Sequence, residues 1–132
     1  MIRRLFQGFA AIAAVVLLAG FGAGTPIYNV VSAPIPSNPA ATPENIEKAV
    51  MRAGLTLGWQ MAPKGPGRVE GILNLRRHQA IVDVTFDTKS FNITYRDSTN
   101  LDYRATDKTI HSNYNGWIQN LEKGIRAQVT VL

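Results

Sequence analysis

The sequence predicts an α+β domain: a helix, a three- or four-stranded antiparallel meander, then a second helix, with the two helices packed on one face of the sheet. Three observations predict it. Residues 43–57 and 110–129 place apolar side chains at three- and four-residue steps. Between them, stretches near 68–76, 78–87 and 91–97 alternate apolar with polar residues, as strands do when one face is buried and the other is wet. The tracts that separate those stretches are short and rich in turn-forming residues, which suits hairpins rather than crossovers.

The first helix is read from "TPENIEKAVMRAGLTLGW". Thr42 can cap it, and Pro43 takes the first helical position, where a missing N–H costs nothing. Glu44 and Glu47 suit the positive end of the helix dipole. Ile46, Ala49, Val50, Ala53 and Leu57 form one apolar face, and Gly58 supplies the stop. Trp59, Gln60 and Met61 alternate briefly before "PKGPG", whose two prolines and two glycines predict a turn over 63–67.

The meander follows. Val69, Gly71, Leu73 and Leu75 point one way, with Ile72 an apolar exception on the other side. Ala80, Val82, Val84 and Phe86 share a face, opposite Ile81, Asp83, Thr85 and Asp87. Thr88, Lys89 and Ser90 turn the chain, and Phe91, Ile93 and Tyr95 point inward from the next strand. Residues 98–109 form a polar loop with a bent strand end at Leu101–Tyr103. The second helix carries Tyr114, Trp117, Ile118, Leu121 and Ile125 on one stripe, with Ser112 or Asn113 as its cap.

Ahead of this domain, Arg3 and Arg4 precede a run from Phe9 to Ala23 without a polar side chain. A charged start and about fifteen apolar residues match a secretory signal better than a durable span, which needs about 20. Residues 1–24 are therefore expected to be a signal peptide or an uncleaved N-terminal anchor. Gly22 and Gly24 suit the small-residue pockets of a signal peptidase, with Thr25 first in the mature chain. Residues 25–42, "TPIYNVVSAPIPSNPAAT", hold four prolines and read as a linker, although Ile27, Tyr28, Val30 and Val31 are apolar enough to dock as an added strand. Residues 43–132 are expected to be one α+β domain.

The chain has no cysteine, which excludes disulfides, thiolate metal sites and thiol nucleophiles. Its net charge is +5; without Met1–Gly24, which holds Arg3 and Arg4, 12 basic and nine acidic side chains leave +3. No run of four basic residues occurs, so a nucleic-acid partner is not expected.

Several phrases carry a resemblance: "TPIYNV", "AGLTLGWQM", "GILNLRRHQAIVDV", "ITYRDSTNL" and "IHSNYNGWIQNLEKGI". Across Thr25 to about Arg126 the sequence resembles a family of small, uncharacterised bacterial envelope lipoproteins, with "NYNGWIQNLE" the most specific part. The resemblance implies an exported, envelope-associated protein and supplies no catalytic residues. The sequence departs from it at Leu18-Ala19-Gly20-Phe21, where the family carries a lipidated cysteine. Phe21 has no nucleophile, so a thioether-linked lipid cannot form there.

Candidate chemistry is sparse. The two histidines are His78 and His111. His111 with Asp97 and Ser98 would be a hydrolytic trio if the fold brought them within hydrogen-bond reach; a capping or packing role is the simpler expectation. Asp83 and Asp87 share a strand face but stand about 13 Å apart, too far to hold one ion, and no metal or cofactor site is expected. Asn113, Asn115 and Asn120, interleaved with Tyr114 and Trp117, could form a recognition edge, or could cap and solvate while the aromatics pack. Arg76, Arg77 and His78 sit at a turn, with Arg68 and Arg96 as potential neighbours, where they could meet lipid phosphates. The resulting expectation is a periplasmic or envelope-associated interaction or accessory module, with an unknown envelope protein or surface ligand as partner and membrane association possible through residues 5–23. The alternative is an envelope hydrolase using His111 with an acidic neighbour.

Overall fold

The structure, a computed structural model, describes residues 24–132. Phe21 and Gly22, and with them the leader proper, lie outside the described residues. The elements in chain order are β1 (Thr25–Pro26), β2 (Val30–Pro34), α1 (Pro43–Thr56), β3 (Gln60–Gly65), β4 (Arg68–Leu75), β5 (His78–Phe86), β6 (Ser90–Thr99), β7 (Thr109–Ile110) and α2 (Ser112–Thr130). The fold is α+β, with five antiparallel strands in the order β2-β6-β5-β4-β3 and a separate β1-β7 ribbon.

The main sheet thus has more strands than the expected three or four, for two reasons. Pro63, Lys64 and Gly65 belong to β3 rather than to the turn, which narrows to Pro66–Gly67. A proline is tolerated there because β3 is an edge strand, where a missing donor breaks no ladder. The second addition is β2, which lies within the segment expected to be a linker. Val30, Ala33 and Ile35 are buried, and β2 pairs antiparallel with β6 across a bulge between Val30 and Ala33. Prolines at 34 and 36 did not prevent docking, because an edge strand needs ladder bonds on one side only.

Helix α1 begins as its sequence dictates: the Thr42 hydroxyl accepts from the Asn45 amide at 3.2 Å, and Ile46, Ala49, Val50 and Ala53 are buried. Gly58 then takes a φ of +90°, the left-handed stop that glycine reaches without strain. Helix α2 is capped by His111, one residue ahead of the expected Ser112 or Asn113. The helices run antiparallel: Asn38, before α1, donates to the Leu132 carbonyl, and Arg52 donates to Gln128 on the neighbouring turn of α2.

The buried faces of both helices join Val69, Val82, Val84, Phe91 and Ile93 of the sheet in one core. Trp59 completes it at 2% exposure. Leu75, expected inward, is 44% exposed because β4 ends there in the two-residue Arg76–Arg77 turn. Among the described residues no helix is long and apolar enough to cross a membrane.

Candidate functional site

The sequence motifs converge on one end of the molecule, where the described chain begins. Thr25 pairs with Ile110 and Pro26 with Thr109. Gly24 lies so close to this ribbon that a Cβ there would stand 2.9 Å from the Ile110 carbonyl oxygen. The arm is then clasped by α2. Asn115 grips both sides of Ile27: its Oδ1 accepts from the Tyr28 amide and its Nδ2 donates to the Pro26 carbonyl, both at 2.9 Å. The Tyr28 hydroxyl donates to Glu122 at 2.6 Å. That bond, foremost, raises the Tyr28 pKa, because it holds the protonated phenol and is lost with the proton. Asn29 Oδ1 accepts from the Tyr95 amide. "IYN" and "NYNGWIQNLE" therefore hold each other, and Asn115 is a clasp rather than part of a recognition edge. Tyr114 is buried, Trp117 is partly buried, and Asn113 and Asn120 are exposed.

The two histidines meet at the same end, their ring centroids 6.3 Å apart, with Trp117 6.2 Å from His78. His78 Nδ1 lies 2.7 Å from the Asn100 carbonyl oxygen. A carbonyl only accepts, so Nδ1 carries the proton and Nε2 is left as the acceptor. His111 is the opposite case. Its Nδ1 accepts from the Asn113 amide at 3.1 Å, so the proton of the neutral ring lies on Nε2. The ring separation is too long for a direct hydrogen bond between them.

The proposed trio is not joined. Asp97 Oδ1 accepts from the Ser98 amide, and the Ser98 hydroxyl is bonded to the Tyr95 hydroxyl at 2.8 Å. Neither is hydrogen-bonded to His111, whose carboxylate and hydroxyl neighbours are instead Asp102 and Ser112; these three line a cleft of about 490 Å³ with Gly24, Thr25, Arg104 and Ile110. For His111 Nε2 to accept a proton, the ring would have to carry its hydrogen on Nδ1, which breaks the helix cap. Among the described residues no group of three or more His, Cys, Asp or Glu side chains is placed to hold a metal ion.

The basic residues divide between two places. Arg76 and Arg77 occupy the β4–β5 tip, whereas Arg68, at the other end of β4, and Arg96 join a charge network on the open sheet face. There Glu70 and Asp83 are direct cross-strand partners, an arrangement that repels. Arg96 stands at the bulge of β6 and binds both carboxylates at once; Arg68 reaches Asp83 at 3.2 Å and Lys64 reaches Glu70 at 3.9 Å. Ile72 and Ile81 pair beside this network, half-buried on the same face. Asp87 is not on that face. It lies past the end of β5 and accepts from the Lys89 and Ser90 amides at 2.7 and 2.9 Å, bonds that lower its pKa.

Sequence reasoning missed two groupings. The Asn115 clasp leaves only one cue, an amide in the first turn of a helix facing an arm with bare backbone groups. The second is an aromatic cluster, with Tyr95 stacked on Tyr103 at 4.2 Å and edge-on to Tyr114 at 5.6 Å. Residues distant in sequence build it, so no local pattern marks it. Compared with models of known families, with curated proteins and with solved structures, the chain matches none.

Proposed function

We propose that this chain is an exported bacterial envelope protein that works there as an interaction or accessory module, in keeping with its resemblance to small envelope lipoproteins. The observation that carries the reading is the junction at Gly24. The apolar run Phe9–Ala23 stops there, and a strand already paired with Ile110 starts at the next residue. A charged start, an apolar run and small residues directly ahead of a docked domain are the organisation of an exported protein. The helix-free sheet face, with Ile72 and Ile81 beside charges already fixed by Arg96, suits contact with an envelope protein or surface ligand.

Export is tested by fusing to the C-terminus a reporter that is active only outside the cytoplasm. Activity is expected, and a reporter that stays silent while the fusion is made refutes the proposal. Mass spectrometry of the purified protein then separates a soluble form beginning at Thr25 from an anchored form retaining Met1.

A second reading, an envelope hydrolase, draws on the cleft that His111 shares with Asp102 and Ser112. Its difficulty is that His111 Nδ1 is committed to the helix cap. His111→Asn keeps a capping side chain and removes the imidazole. The module reading expects a folded protein with its cellular role intact; loss of that role in a folded variant favours the hydrolase.

A further inference from the structure

The end of the molecule that surrounds Gly24 carries a set of cations that the fold does not use. Strand pairing brings the Arg76–Arg77 tip beside Thr99 and Asn100, and the Asn100 side chain donates to the Arg77 carbonyl. The loop from 101 to 108 returns here through the bond from the His111 amide to the Leu101 carbonyl, and the ribbon sets Thr25 against Ile110. Arg76, Arg77, Arg104 and Lys108 are all exposed at this end. Among the described residues none of the four makes an ion pair, in contrast to Arg68, Arg96 and Arg126. Asp102 and Asp107 offset half of that charge, leaving the end positive. Leu75 and Tyr103 add exposed apolar surface among the cations, at 44% and 37% exposure.

Backbone conformation gives an independent indication. Arg76 and Lys108 hold φ values of +56° and +53°. Glycine or asparagine occupies that left-handed region with less strain, and a long cationic side chain gains nothing from it locally. Asn100 and Asp102 at this end share the left-handed backbone, but as short polar residues they tolerate it; Arg76 and Lys108 are the two that do not, which points to a use outside the fold.

We propose that this end is a docking surface for the anionic headgroups of a phospholipid membrane. The proposal rests on the envelope reading for its orientation. The apolar run ends at Ala23 and the first docked residue is Thr25, so in a chain held by its leader this end is the one nearest the bilayer, and the cations decide whether it settles on the headgroups. The cations then meet lipid phosphates, while Leu75 and Tyr103 reach the interface. The far end, with the β5–β6 turn at Thr88, points away.

Because the chain has no cysteine, one can be introduced as a unique label. The full chain carries a fluorophore at Ala105→Cys, in the basic loop, or at Thr88→Cys, at the far end. It is reconstituted with vesicles of phosphatidylcholine alone, or of equal parts phosphatidylcholine and phosphatidylglycerol, each containing a headgroup quencher. The probe at 105 is expected to be quenched in anionic vesicles, much less in neutral ones, and less again in high salt; the probe at 88 is expected to be quenched in neither. Replacing Arg76 and Lys108 together by glycine should weaken the association about fivefold per cation. The same change should leave the protein at least as stable, since glycine suits both φ values. Equal quenching in the two lipids, no quenching in either, or a glycine double variant that binds as before would overturn the proposal. The measurement contains no export step, so its failure is separate from failure of the envelope reading, which the C-terminal reporter tests.

Discussion

Tyr114 shows how one atom sets a stability limit. Its ring is wholly buried, and its hydroxyl has no hydrogen-bond partner among the described residues. Burial, with the nearby Tyr95 phenol as a lesser influence, pushes its pKa far above the ordinary 10.0. An unsatisfied buried hydroxyl costs about 1–3 kcal/mol, so Tyr114→Phe should raise stability by about 1 kcal/mol in urea titrations at neutral pH. The folded-state pKa lies above the unfolded one, so the stability that the neutral phenol contributes is complete below pH 10.0 and is lost as pH rises toward the folded value. Phenylalanine has no proton to lose, and the advantage of the variant should widen above pH 10.0. A variant weaker than the parent at both neutral and alkaline pH would mean that the hydroxyl is satisfied after all. Asp87 is the acid counterpart. Two amide bonds hold its pKa below 3.8, so its contribution is present above that value and is lost as pH falls through the lower folded one. Asp87→Ala should lower the denaturant midpoint at neutral pH, and the difference from the parent should shrink as pH falls from 3.8 through the lower folded value.

Among the elements, the least expected is the arm that runs from β1 to β2. Asn115 supplies two bonds to its backbone, each contributing about 1 kcal/mol. Asn115→Ala should therefore cost about 2 kcal/mol and speed hydrogen exchange at the Tyr28 amide selectively, leaving the amides of β5 protected. Uniform acceleration across the sheet would instead mean that the arm and sheet open as one unit. The contrast with α1 explains what the sequence could reveal. Thr42, Pro43 and the Ile46–Ala53 stripe interact within a few residues of one another, so their pattern already contains their geometry. The same holds for β5, where every second residue from Ala80 to Phe86 is buried. Asn115 and Tyr28 lie 87 residues apart, and nothing in either segment names the other. Prolines in the arm pointed to a tether, since local rules describe what proline prevents and not which strand lacks a neighbour. The charged face is half legible: alternation places Asp83 outward, but the Arg96 bulge that joins it to Glu70 exists only once β5 and β6 are paired.

At the scale of the whole molecule, the arm decides whether the domain is complete. Val30, Ala33 and Ile35 are buried against β6 and its neighbours, and burying a valine or isoleucine contributes about 1.5–3 kcal/mol. The three together contribute roughly 5 kcal/mol, before the β2–β6 ladder is counted. A domain of this size has a net stability of about 5–15 kcal/mol, so the arm accounts for a large share of it. Removing the arm also turns β6 into a bare edge beside Phe91 and Ile93, a surface prone to pairing with other chains. A chain starting at Thr25 should unfold cooperatively as a monomer, whereas one starting at Asn38 should unfold at much lower denaturant or self-associate. Thermal melting with sedimentation of the two forms checks this, and equal melting temperatures with both monomeric would return residues 25–37 to the status of a tether. A fold that needs these residues also keeps its basic end beside Gly24, where the described residues begin, because Thr25 is already paired with Ile110.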